Sequence, residues 1–198
     1  GQLRGGLMQI DVHGDLHQQT LASLPPELEQ EVVQIDLAER ARLVGLNPLD
    51  MSHGANRDKL VDNMIAIIEA IWSNSYGPRT ESILEYACKS LVEANRTIIA
   101  RDPIHGPDEQ YTLLDVVPLL REASFRHAVL EQVDDPFIHS WWDHYFEKHD
   151  KREQDTFTSS VVTKLAKCAS SHVARRILGQ PRSTINFADI IAQEKILL

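Results

Sequence analysis

The chain has 198 residues and a formal net charge of −9. That is long enough to bury a sizeable core, in one large domain or in one domain plus a piece of another. The acidic balance argues against a general polyanion binder. The absence of an apolar run of about eighteen residues predicts that no segment spans a membrane, and the two cysteines, read as reduced core residues, predict a cytoplasmic protein.

The stretch Leu7-Met8-Gln9-Ile10-Asp11-Val12-His13-Gly14-Asp15 reads as a strand that hands over to a helix. An apolar run ends in an acid, a glycine lets the backbone turn, and Leu16, Leu21 and Leu24 follow at helical spacing. Pro25-Pro26 stops that helix, and Val32-Val33-Gln34-Ile35-Asp36 is a second short apolar run, predicting a strand-helix-strand unit with parallel strands. A single crossover cannot form a stable parallel sheet alone, because such sheets are covered on both faces.

Arg42 to Met51 carries Gly, Asn-Pro and Asp and reads as a connection. Beyond it the period changes to that of helices. Leu60, Val61, Met64, Ile65, Ile68, Ile71 and Trp72 share one face of a helix over Asn56 to Trp72. Thr80 is the expected N-cap of the next, which presents Ile83, Leu84, Ala87, Cys88, Leu91 and Val92. Cys88 and Cys168 fall on the apolar sides of their patterns, which favours reduced core thiols over a disulfide. Thr112 to Asp115 fits a capping box, and short helices follow around Phe125 to Val133 and from Pro136. Asp155 or Thr156 is the expected cap of the longest helix, in which Phe157, Val161, Leu165, Ala169, Val173 and Ile177 repeat every four residues up to Gly179. Thr184 to Gln193 is a short helix at most, and Lys195 to Leu198 reads as a returning strand. The expected fold is mainly α: a helical bundle over 46–182, inserted in an α/β domain represented by 1–45 and 183–198.

Several motifs carry chemistry. Asp11, His13, Asp15 and His17 are metal-ligand types at what would be the carboxyl edge of a sheet, and a metal-dependent phosphoesterase is one reading of them. The bland alternative is a strand-to-helix turn with Asp15 as the cap. No Gly-x-x-x-x-Gly-Lys-Ser/Thr loop occurs, so the chain by itself is not expected to hydrolyse nucleotide. Trp141-Trp142 shares a helix face with Phe137, Ile138, Tyr145 and Phe146, which favours core packing over base stacking. His139, His144 and His149 are five apart and do not stack on one helix face. From Lys151 to Arg182 there are seven Lys and Arg against two acids. Lys164, Lys167, Arg175 and Arg176 are therefore candidate DNA contacts, sequence-blind and salt-dependent, with Lys164, Lys167 and Arg175 expected opposite the Val161-Leu165-Ala169 face. The competing expectation is a protein-docking module without DNA contact, its acidic surface holding a basic partner.

The segments IDVHGDLHQQTLASLP, IDLAERARLVGLNPLD, DNMIAIIEAIWSNSYGPRTESIL, TLLDVVPLL, FRHAVL and RRILGQPRSTINFADIIAQEKILL, taken in order, resemble the coupling proteins of conjugative type IV secretion, in the FtsK/HerA-like superfamily of DNA-pumping ATPases. The resemblance implies that Leu7 to Asp11 and Lys195 to Leu198 are strands of a P-loop-type motor sheet, and that the helices between form the all-α domain inserted in that motor. It implies DNA, relaxosome proteins and secretion-channel components as partners. It also implies a homo-hexameric parent anchored at the inner membrane, with ATP and Mg as the parent's cofactors. Asp11, His13 and Asp15 match the family's sheet-edge motif, while Val12 stands where its members commonly have proline.

Overall fold

A computed structural model describes residues 6–11, 13–36 and 44–198. Val12 and the 37–43 part of IDLAERARLVGLNPLD lie outside them. The protein is mainly helical with a small three-stranded sheet. It divides into two compact units, one formed by Gly1–Val44 with Ile185–Leu198 and the other by Gly45–Thr184.

The first unit holds β1 (Leu7–Met8), α1 (Asp15–Ser23) and β2 (Val32–Val33) before the bundle and α9 (Phe187–Ala192) and β3 (Ile196–Leu197) after it, with a 3-10 turn over Pro26–Glu31. The strand order is β1-β3-β2. β3 is parallel to both neighbours, with Leu7 and Val32 opposite Ile196 and Met8 and Val33 opposite Leu197. The two strands nearest in sequence thus do not pair with each other; each pairs with the returning one. The ladder is extended by Gln9 N–H to Leu197 O at 2.9 Å, Ile35 N–H to Leu198 O at 2.8 Å and Leu198 N–H to Val33 O at 2.9 Å. β3 is buried, while Leu7 and Met8 are 49% and 61% exposed. Such exposure of a parallel strand is unusual, since parallel sheets are normally covered on both faces.

The second unit is the helical bundle: α2 (Arg57–Trp72), α3 (Pro78–Arg101), α4 (Val116–Arg121), α5 (Ala123–Leu130), α6 (Pro136–Trp141), α7 (Lys151–Ser170) and α8 (His172–Leu178). Asn56 caps α2 by accepting from Lys59 N–H at 3.1 Å. Helix α3 begins earlier than the Thr80 cap expected from the sequence. Gly77 is its N-cap and Pro78 takes the first position, where a missing N–H costs nothing. Thr80 instead lies buried within the first turn. At 24 residues α3 is longer than α7 at 20. Thr112 and Asp115 do form a capping box, which opens a 3-10 turn before α4.

Helix α7 also differs at both ends. Its cap is Asp150, which forms a capping box with Glu153, in place of Asp155 or Thr156. It stops at Ser170, because Ser171 is extended and its hydroxyl caps α8 through Ala174 N–H. A strict four-residue repeat drifts by about 40° per step around a helix. One straight helix would therefore have carried the stripe from Phe157 to Ile177 about halfway round its circumference. The break ends that drift, and Val173 is 47% exposed.

The core joins Val61, Met64 and Ile68 of α2 with Ile83, Leu84, Leu91 and Val92 of α3, Leu119 and Leu120 of α4, and Val161 and Leu165 of α7. Trp142 and Phe146, on a π-helical turn continuing α6, are fully buried beside them. The indole N–H of Trp142 donates to Ser90 Oγ at 2.9 Å, and Trp141 stacks on Tyr86 with centroids 4.6 Å apart. Trp142 is core, as its spacing predicted, while Trp141 is half-buried against it and Phe137, expected on the same face, is 79% exposed. Cys88 and Cys168 are free thiols.

A buried polar network holds the two places where the chain crosses into and out of the bundle. Gly45 N–H donates to Thr184 Oγ1 and Thr184 N–H to Gly45 O, both at 3.0 Å. Asn47 N–H donates to Ser183 Oγ at 3.0 Å, and its amide to Pro181 O at 2.7 Å and Tyr111 O at 3.0 Å. Asn95, fully buried in α3, donates to Leu49 O at 3.0 Å and Tyr111 O at 2.9 Å, and accepts from Tyr111 N–H at 2.6 Å. Residues near 47 and near 183 are thereby fixed side by side.

Candidate functional site

The basic residues singled out in the sequence fall on α7 and α8, two helices in contact, rather than on a single row. The capping box orients α7, with Glu153 N–H donating to Asp150 Oδ1 at 2.9 Å. Phe157, Val161 and Leu165 then pack into the bundle. Lys164 departs from its expected place on the opposite side. It lies three residues after Val161, about 60° from it around the helix, so it falls at the margin of the buried face. Its residue is 8% exposed, and its ammonium donates to Ser160 Oγ one turn earlier.

Lys167 is exposed and forms no ion pair among the described residues. Arg175 is exposed and donates to His172 Nδ1 at 3.0 Å, which requires that ring nitrogen to carry a lone pair. Arg176, partly buried, follows it in the last turn of α8.

Two shallow grooves run along α7. One, of about 320 Å³, is lined by Trp72 at the end of α2 and by Ser159, Ser160, Thr163, Lys164 and Lys167. The other, of about 520 Å³, is lined by Arg79, Tyr145, His149, Arg152, Thr156 and Phe157, with the capping residues Asp150 and Glu153 at its edge. Sequence reasoning missed these hydroxyls and the two arginines. Arg79 and Arg152 lie outside the acid-free part of the chain; for the hydroxyls the available signal was the composition of the stretch from Thr156 to Ala188. It contains five Lys or Arg and no acid, in a chain of net charge −9.

In the first unit, the sheet-edge motif is organised around Asp11. Its Oδ1 accepts from His13 N–H at 3.0 Å and its Oδ2 from His17 N–H at 2.9 Å, around Gly14 at φ 84°. The backbone N–H groups of His17 and His13 hold its carboxyl below the usual range. Asp11, rather than Asp15, therefore satisfies one orphan donor of α1, the His17 N–H, while Asp15 is the first residue of that helix. Both Asp11 oxygens are engaged by backbone N–H groups, one of the turn and one of the helix. His13 and Asp15 are exposed. Among the described residues, no group of three or more His, Cys, Asp or Glu side chains is placed to hold a metal ion. Nor is any helix among them long and apolar enough to cross a membrane.

Comparison with protein-family models, with curated proteins and with solved structures returned no match. The geometry therefore carries the functional argument. Chemically, α7 and α8 together offer ammonium groups, guanidinium groups and hydroxyls, a donor set suited to phosphate or other oxyanions.

Proposed function

We propose that this protein is the substrate-reading helical domain of a conjugative coupling ATPase, and that it contacts DNA by sequence-blind phosphate interactions from α7 and α8. The observation that carries the binding reading is the acid-free basic stretch from Thr156 to Ala188, in which Lys167 and Arg175 are exposed. The motor relationship is supported by the sheet, where β3 pairs between β1 and β2 so that the bundle is spliced into a parallel α/β element. ATP and Mg belong to the motor that the resemblance implies. The donor set here does not fit them: Lys89-Ser90, the one Lys-Ser/Thr pair, lies inside α3. Lys89 is paired to Glu85 at 2.6 Å, and the buried Ser90 donates to Tyr86 O at 2.7 Å.

The test is a salt titration of duplex and single-stranded DNA binding by the wild type and by a Lys167→Glu, Arg175→Glu variant. Each removed phosphate contact lowers the slope of log K against log salt by about one. An unchanged slope removes α7 and α8 from the DNA reading.

A second reading, docking of a basic relaxosome or secreted protein, is supported by the 29 acids of the chain and by Ile67 and Ile71. These lie one turn apart on α2 and are 50% and 61% exposed. Partners that survive nuclease treatment, and are lost when Ile67 and Ile71 are changed to Ser, favour it.

A further inference from the structure

We propose that the groove between Trp72 and α7 binds a nucleoside phosphate, the base against the indole and the phosphate between Lys167, Lys164, Ser160 and Thr163. This rests on the reading that α7 faces phosphate, and it names the unit recognised there. The groove lining is unlike that of its neighbour: it holds two ammonium groups and three hydroxyls but no carboxylate, whereas Asp150 and Glu153 border the other. Ser160 Oγ accepts from Lys164 Nζ and, at 3.4 Å, from Thr80 Oγ1. Its own O–H is left as a donor toward an anion. Thr163 and Lys167 are exposed on the same side of α7, three and seven residues on from Ser160. Trp72 packs partly against the core and lines the groove with the remainder of its surface, so the indole is a fixed wall. A flat aromatic wall beside paired cations is the arrangement that holds a base and its phosphate together, with stacking tolerant of base identity. About 320 Å³ is at the lower end of small-ligand sites, the size of one nucleotide unit.

The unit is either free or one link of a strand, and the test separates the two. Tryptophan emission of the whole chain is followed while thymidine monophosphate, a short oligothymidylate or inorganic phosphate is added, with calorimetry as the second readout. Trp142 is buried and Trp141 is stacked on Tyr86, so a response absent in Trp72→Phe belongs to Trp72. The expected result is quenching by a thymidylate ligand, affinity about tenfold weaker in Lys167→Glu and in Trp72→Leu, and affinity retained in Trp72→Phe. A response to the oligomer alone assigns the site to a strand, and a response to the monophosphate assigns it to a free nucleotide. The proposal is overturned if neither ligand changes the emission. It is also overturned if Trp72→Leu binds as the wild type does, or if inorganic phosphate competes as well as thymidine monophosphate. Salt-dependent DNA binding with a silent Trp72 overturns this site alone. A thymidine monophosphate response without any DNA binding overturns the DNA reading alone.

Discussion

The carboxylate of Asp50 accepts a hydrogen bond from the backbone N–H of Ser183 at 2.7 Å, across 133 positions of sequence. The same carboxylate accepts from the Ser52 hydroxyl at 2.6 Å, Ser52 N–H at 2.9 Å and the Gln110 amide at 2.8 Å, with His53 Nε2 3.8 Å away. Replacing Asp50 with Ala strands several buried donors at once. The expected loss is about 3 kcal/mol, read as a lower denaturant midpoint with an unchanged slope.

The same residue makes stability depend on acid. Burial pushes the Asp50 carboxyl up, but donation from Ser52, Gln110 and Ser183 more than offsets it and holds the group below its ordinary value. The unfolded chain therefore takes up the proton first as pH falls. The stabilisation is complete above the unfolded carboxylate value, about pH 4, and disappears as pH drops through the lower folded value. Unfolding curves of wild type and Asp50→Asn should differ most near neutrality and converge below about pH 4.

Gly45 lies against the returning chain. A Cβ there would meet Arg182 O and Gln180 Cβ, each at 2.9 Å, and the carbonyl is backbone that cannot swing away. Gly45→Ala should push apart the reciprocal Gly45 and Thr184 hydrogen bonds and destabilise the bundle by about 1–3 kcal/mol. Faster amide exchange at Gly45 and Thr184 is the local sign.

Ser90→Ala removes the acceptor of the Trp142 indole N–H, where both residues are fully buried. A loss of about 1–3 kcal/mol is expected, since the donor is left without a partner. A double-mutant cycle with Trp142→Phe should recover most of it. Additive losses would mean that the bond contributes nothing.

The two thiols should behave differently toward an alkylating reagent. Burial raises the Cys88 thiol to about 12, which keeps it protonated as well as enclosed. Cys168, partly exposed near the end of α7, should be modified in the folded chain, and Cys88 only after unfolding, as mass spectrometry of labelled peptides would record.

The helices were legible wherever an apolar stripe faced the core, as in Leu60 to Trp72 and Ile83 to Val92. Helix ends were legible only where the capping chemistry was unambiguous. Thr112 is such a cap, but Asp150, which lies further from the apolar run than Asp155 or Thr156, has the spacing of a capping box with Glu153. Ser171 was hidden because a four-residue repeat reads as continuous helix until its angular drift is counted. Lys164 was assigned to the solvent side although it follows Val161 by three residues, a spacing that puts it beside the apolar stripe. The groove at Trp72 joins the end of α2 to the middle of α7, and no local pattern announces a meeting of residues so far apart in sequence. The central position of β3 was equally out of reach, because two-residue strands carry too little alternation to specify a partner.

Gly45 and Thr184, 139 positions apart, exchange two hydrogen bonds, one between backbones and one to the threonine hydroxyl. To any polypeptide that carries it, the whole bundle between them therefore counts entropically as a tight turn, since its ends are already closed by its own fold. Such a cassette can be exchanged for one of another size without lengthening the loop its carrier must close. The bundle's sequence can then diversify while the flanking strands keep their register.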